Sequence, residues 1–179
     1  DRVIVKYFRR LTPAPNPEIE LLEALTEVGC THIAPLRAWT TVDIEGTEYV
    51  TAMLQDVVPG KDGYEFTTAH PDDLDAAPLG EAIRDVHTQL EKTCGTGSFA
   101  PGELTTNLNA RLDGLVTRAP QLAEYEDKLR ALYQAVADRE IPTQRIHGDL
   151  HLGQTLTRDG TWVLIDFEGE PSRPWDERR

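Results

Sequence analysis

Arg145–Leu156 reads "RIHGDLHLGQTL", and Val163–Pro171 reads "VLIDFEGEP". Each stretch sets an aspartate, Asp149 in one and Asp166 in the other, just after a short apolar run. Histidines, glycines and a lone amide, Gln154, lie between them. A carboxylate buried without a partner is driven to neutralise or to find a cation, so these acids must be met by something or must line a cleft. The "RDG" at Arg158–Gly160, flanked by apolar runs, predicts a hairpin turn. That hairpin places Asp149 in a loop after a strand over "RIHGD". Gln154 follows five residues on, and Asp166 ends the hairpin seventeen residues after Asp149.

Outward from this hairpin the pattern is helical. Leu79, Ile83, Val86, His87 and Leu90 recur at helical spacing and predict an amphipathic helix with His87 on its apolar stripe. Further helices are expected over 104–118 and 121–139, with "TCGTGSFAPG" as a loop between the first and second. "PGKDGYEF", beginning at Pro59, reads as a loop and a domain boundary. Before it, "VIVKYF" at Val3–Phe8 reads as a strand with Ile4, Lys6 and Phe8 on one face. Asn16 is placed to cap a helix with Pro17 at its first position, burying Ile19, Leu22, Leu25 and Val28 and stopping at Gly29. Two or three antiparallel strands then turn at Glu45-Gly46. The expected domains are therefore 1–58, a small antiparallel sheet with one helix, and 59–179, helical with the hairpin 145–167.

The bulk composition narrows the function. The net charge of −13 argues against a partner whose phosphates must be neutralised over a broad surface, as in nucleic-acid binding. Thirty-nine per cent hydrophobic residues and no apolar run near the roughly 18 residues of a membrane span predict a globular, non-membrane chain. Two cysteines, Cys30 and Cys94, make no disulfide framework and point to a reduced, cytoplasmic protein. A start inside a strand and an end at "PSRPWDERR" read as a fragment of something longer.

A loop acid, an amide five residues on, a second acid at a strand end and a distant strand lysine are the components of a kinase-type phosphoryl-transfer site. Asp149 would accept the proton of an attacking hydroxyl. Gln154 and Asp166 offer the hard oxygens that Mg²⁺ prefers. Lys6 would face the phosphates of ATP, held by a helix carboxylate, for which Glu20 is the first candidate and Glu23 the second. No GxxxxGK[ST] run occurs, so a P-loop is unsupported. Histidines 147 and 151 flank a loop aspartate rather than sharing a helix face, and His147 is expected to brace the loop by hydrogen bonds.

"HGDLHLGQTL" and "IDFEGEP", with "YFRRLTPAPNPEIE" and "MLQDVVPGKDGYEF" upstream, resemble the actinobacterial maltokinases and their glucosamine-kinase relatives. These belong to the aminoglycoside-phosphotransferase branch of protein-kinase-like folds. The resemblance covers nearly the whole chain and implies an α+β, bilobal fold, incomplete here. It implies Asp149 as base, Gln154 and Asp166 as metal ligands, Lys6 on phosphate and Glu20 as its anchor. Gln55, Asp56 and Val57 resemble an interlobe hinge whose backbone would meet adenine. Glu168 is implied as a further metal or substrate group. The implied cofactors are ATP and Mg²⁺, and the implied substrate is a sugar: maltose first, glucosamine as the alternative. Readings from other classes are a kinase-like binding module without activity, and a glycoside hydrolase using Asp149 and Asp166 as its carboxylate pair. The hydrolase leaves Lys6 and Gln154 without a purpose.

Overall fold

The computed structural model describes residues 2–71 and 75–169. Glu170 and Pro171 of the "DFEGEP" motif, and the chain after them, lie outside the described residues.

Strand β1 (Val3–Tyr7) pairs antiparallel with β3 (Thr47–Asp56), which pairs on its other side with β2 (Leu36–Ile44). The register sets Lys6 opposite Met53. Alternation does not bury one face of β1, since Val3, Ile4 and Val5 are all about half exposed. Helix α1 (Pro17–Glu27) begins as expected: the Asn16 side chain accepts from the amides of Glu18 at 2.9 Å and Ile19 at 3.3 Å. It buries Ile19, Leu21, Leu22 and Leu25, whereas Val28 is exposed because the helix has already ended at Glu27. The turns at Glu45-Gly46 and Asp159-Gly160 both have positive φ at each central residue, the geometry that matches strand twist in a tight hairpin.

"PGKDGYEF" is not a loop. It contains β4 (Lys61–Asp62) and the start of helix α2 (Gly63–Ala69). The signal is present in "DGYE": Asp62 caps the helix by accepting from the Glu65 amide at 2.9 Å, with an acid three residues after the cap. Helix α3 (Ala77–Cys94) follows the expected stripe, with Val86 and Leu90 fully buried and His87 half-buried. Ala82, Val86 and Leu90 share one core with Leu22 and Leu25 of α1 and with Trp162, Leu164 and Phe167 of the hairpin region. That hairpin is β7 (Thr155–Arg158) with β8 (Thr161–Leu164).

Packing divides the chain into Asp1–Gly95 with Arg145–Arg179 as one compact unit, and Thr96–Gln144 as another. Residue 58 is not where packing separates the chain. β4 pairs with β7, and α3 shares the core of α1, so the segment after residue 58 stays with the first unit. In the second unit, "TCGTGSFAPG" is not wholly a loop, because β5 (Thr96–Phe99) pairs with β6 (Ile141–Gln144). Helix α4 (Glu103–Arg118) matches its expectation. The helix expected over 121–139 is a 3₁₀ turn at Pro120–Tyr125 followed by α5 (Glu126–Gln134). β6 ends before Arg145, so "RIHGD" is irregular chain rather than strand.

Candidate active site

The loop that carries Asp149 is built from backbone bonds to histidine. His147 is buried, and its Nε2–H donates to the carbonyl of Ile165 at 2.8 Å. That bond fixes the tautomer, leaving Nδ1 to accept from the Asp149 amide at 3.4 Å. Burial pulls the His147 pKa below its ordinary value, against the Ile165 carbonyl and the charges of Asp166 and Asp149, so the ring serves as a neutral brace. It also lies 4.5 Å from the Phe167 ring. His151 does the same work further along the loop: its Nδ1 accepts from the Gly153 amide at 3.1 Å and caps a 3₁₀ turn at Leu152–Gln154. Both histidines serve the backbone, as expected for His147.

Gln154 and Asp166 are set across the hairpin base. The Ile165 amide donates to the Gln154 carbonyl at 3.0 Å, and the Gln154 side-chain amide donates to Asp166 Oδ2 at 3.1 Å. With its nitrogen on the carboxylate, Gln154 has its amide oxygen to offer a cation. Gly63 at the start of α2 presses on this turn. A Cβ there would lie 2.0 Å from Thr155 Oγ1 and 2.8 Å from the Leu152 carbonyl, so only glycine permits the approach. Asp166 itself has φ of 64°, a left-handed conformation that costs an L-residue about 1–2 kcal/mol. The backbone thus turns sharply to aim this carboxylate.

The target is Lys6. Its Nζ lies 2.8 Å from Glu18 Oε2, 2.9 Å from Asp166 Oδ1 and 2.6 Å from Glu168 Oε1. Burial alone would pull the ammonium pKa down. The charge of Glu18 and hydrogen bonds to Glu168, Glu18 and Asp166 outweigh it and hold Lys6 above its ordinary value. Glu18 has only 1% of its side chain exposed. Burial pushes it up to about 7 against the pull of Lys6, with Glu168 and Asp166 adding repulsion. One ammonium facing three carboxylates leaves negative charge in excess. Ligand oxygens of Glu18, Asp166 and Glu168 lie within 4.8 Å of one another, a donor set of hard oxygens that fits Mg²⁺. Asp166 and Glu168 are the partly exposed members, and Glu18 is committed to Lys6.

The anchor of Lys6 is therefore Glu18, not Glu20. Glu20 Oε2 instead accepts from Arg145 Nη2 at 3.2 Å. The signal lies in helical periodicity. Glu18 shares its stripe with Leu22 and Leu25, which face the core, while Glu20, Glu23 and Glu27 share the other face. Lys6, Glu18, Gln154, Asp166 and Glu168 are brought together. Asp149 is partly exposed and is joined to them through His147 and Ile165. Gln55, Asp56 and Val57 stand at the end of β3, with their donors engaged locally. Gln55 Nε2 donates to the Ala34 carbonyl at 3.3 Å, the Asp56 amide to Pro35 at 3.1 Å and the Val57 amide to Arg2 at 2.9 Å. The Asp56 carboxylate pairs with Arg37.

A strand lysine held by a helix glutamate and met by an aspartate from beyond a distant hairpin is the arrangement that the family comparison explains. The model of the phosphotransferase enzyme family APH matches residues 1–169. The chain belongs to that family. Among curated phosphotransferases, a glucosamine kinase of Mycolicibacterium smegmatis (strain ATCC 700084 / mc(2)155) is 27% identical over 199 residues, covering 99% of this chain and 50% of the relative. A glucosamine kinase of Streptacidiphilus jiangxiensis is 33% identical over 115 residues, covering 59% of this chain and 26% of the relative. The fold is shared with a solved glucosamine kinase in crystal form B, with a TM-score of 0.78, 21% identity, and coverage of 98% of this chain and 48% of that one. A glucosamine kinase solved in complex with glucosamine, ADP and inorganic phosphate gives a TM-score of 0.75 at 22% identity, covering 98% of this chain and 48% of that one. The chain thus spans about half the length of the first of these curated relatives. Its α+β, protein-kinase-like fold is the one those structures share. No helix among the described residues is long and apolar enough to cross a membrane.

Proposed function

We propose that this chain carries the reactive centre of an ATP-dependent sugar kinase, with glucosamine as the acceptor and glucosamine 6-phosphate as the product. The observation that carries the reading is the meeting of Lys6 with Asp166, 160 residues away in sequence, at 2.9 Å. Both curated relatives named above are glucosamine kinases, which favours that acceptor over maltose, the first choice on the motifs. A maltokinase making maltose 1-phosphate is the second reading, kept because the motifs of that family resemble this chain.

In this reading Glu18 stays on Lys6 and orients its ammonium toward the α- and β-phosphates of ATP. Mg²⁺ held by Asp166 and Gln154, with Glu168 beside them, would neutralise charge developing on the transferred phosphoryl group. Asp149 would take the proton of the acceptor hydroxyl as the new P–O bond forms and the bond to ADP breaks. His147 keeps that carboxylate in place by holding the Asp149 amide. Purine contact belongs to the end of β3 at Gln55–Val57. It would draw on carbonyls there, because taking the Asp56 and Val57 amides would break their bonds to Pro35 and Arg2. The lobes of the proposed enzyme are 1–58 and 59–179, a division by role in the cleft rather than by packing, and an ATP-consuming sugar kinase belongs in the cytoplasm.

Incubating the full-length protein with γ-labelled ATP and a panel containing glucosamine and maltose tests this. Label transferred to glucosamine, located at the 6-hydroxyl by phosphorus NMR, is the expected result. Transfer to C1 of maltose would replace the acceptor, and no transfer to any sugar would return the chain to a binding module.

A further inference from the structure

Glu20 answers to a cation of its own. Its carboxylate meets Arg145, two residues before His147 and four before Asp149, at 3.2 Å. Glu18 and Glu20 are two positions apart on α1, so at 3.6 residues per turn their side chains leave the helix roughly 200° apart. One is held by Lys6 of β1 and the other by Arg145 of the Asp149 loop. A helix grasped from opposite sides cannot rotate about its axis without losing one pair. Arg145 is not placed for stability alone. Its side chain is 17% exposed, and its Nε is buried with no partner among the described residues. A partly buried ion pair of this kind is often replaced by apolar residues with no loss of stability.

We infer that the Arg145–Glu20 pair is a rotational tether: it fixes α1 so that Glu18 stays on Lys6, and it ties that helix to the loop bearing Asp149. Arg145 is then a positioning residue for the site, a role that rests on the proposed kinase reading. The tether explains why an acid unsuited to reach Lys6 still stands in the first turn of α1. It also means that the lysine anchor and the acceptor-side base share one mechanical link, so a disturbance of either is felt by the other.

The test uses full-length protein, with Arg145→Met, Glu20→Gln and the double variant. Turnover and KM for ATP are read with glucosamine, melting temperature is read in parallel, and amide exchange is followed in peptides of α1. Arg145→Met should lower kcat on the order of 10- to 100-fold and raise KM for ATP, because a displacement of about 1 Å has that effect on positioned groups. Its melting temperature should fall modestly, because Glu20 is left without Arg145 but is partly exposed. The kinetic losses should persist at temperatures where the variant is fully folded, an outcome a purely structural ion pair would not give. Glu20→Gln should move the same quantities in the same direction. The double variant should be no worse than the poorer single, since both remove one coupling. Amides of α1 should exchange faster in all three. Wild-type kcat and KM in folded Arg145→Met, or losses that multiply in the double variant, would overturn the tether. Should Arg145→Met not fold, Glu20→Gln decides the question by the same criteria. If wild type transfers phosphate to no sugar, the kinase reading falls separately, and unchanged α1 exchange in both single variants would then overturn the tether.

Discussion

Two cations in this chain gather carboxylates, and they do so in opposite ways. Arg130 of α5 meets Glu126 one turn back on its own helix, and Asp113 and Asn109 of α4. All its partners lie within 21 residues, and Arg130, Asp113 and Glu126 are each about a third or more open to solvent, with no fully buried acid among them. Lys6 meets Glu18 on a helix and Asp166 and Glu168 from beyond a hairpin at the far end of the sequence. One of those acids is fully buried and another sits at positive φ. Local pairs of the first kind follow from helix periodicity and hold two helices in register. The second kind takes on desolvation, backbone strain and surplus negative charge together. Stability alone gives no reason for that combination, and the proposed kinase would complete it with a cation and a phosphate.

The widest gap between the clusters should come from the acid tied to the Lys6 side of the molecule. Asp149→Asn keeps the shape and removes the proton acceptor, and kcat should fall roughly 10²–10⁴-fold, the usual range for a positioned base. ATP affinity by calorimetry should stay near wild type. Lost ATP binding in a folded Asp149→Asn protein would move this residue to the metal site instead.

Asp166→Asn should come next. It removes one carboxylate from the donor set while keeping a side chain that can hydrogen-bond Lys6. The Mg²⁺ concentration for half-maximal turnover should rise on the order of 10- to 100-fold, as when a group ordering a metal site is lost. A wild-type Mg²⁺ curve in this variant would take Asp166 out of the site.

Glu18→Gln sharpens the comparison through pH. Glu18 rises from 4.5 to about 7 on folding, so the folded state holds its proton more tightly than the unfolded chain does. Its contribution to stability is therefore present below about pH 4.5 and lost as pH climbs through 7. Urea unfolding of wild type should show this decline between about pH 4.5 and 7, and Glu18→Gln should flatten it. An unchanged slope would mean that Lys6 already holds Glu18 ionised across that range.

Arg130→Met should do least. The cluster is local and partly exposed, so turnover should match wild type and the melting temperature should shift only slightly. A large loss of activity here would erase the distinction between the two clusters.

Much of the fold is legible in the sequence. Asn16-Pro17, the Glu45-Gly46 and Asp159-Gly160 turns and the α3 stripe are set by neighbours in sequence, because capping, φ preference and amphipathic spacing act within a few residues. Helix α2 is legible in the Asp62–Glu65 cap, but the proline and glycines around it give the stronger signal of a loop. β5 is not legible, since a four-residue strand containing glycine exists only because β6 supplies its partner.

At the site the same divide holds. The order and spacing of Asp149, Gln154 and Asp166, and the presence of a strand lysine with acids on the next helix, belong to the sequence by itself. They supply the residue types on which the proposed chemistry rests and mark the family that the chain joins. Which glutamate reaches Lys6 is decided only by tertiary structure. Glu18 and Glu20 lie on different faces of α1, and where each face points is set by the rotation of the helix about its axis. That rotation is set by packing Leu22 and Leu25 into a core shared with α3 and β8, more than fifty residues downstream. Helical periodicity puts Glu18 on the apolar stripe and Glu20 off it, but only long-range burial brings Lys6 to the one and Arg145 to the other.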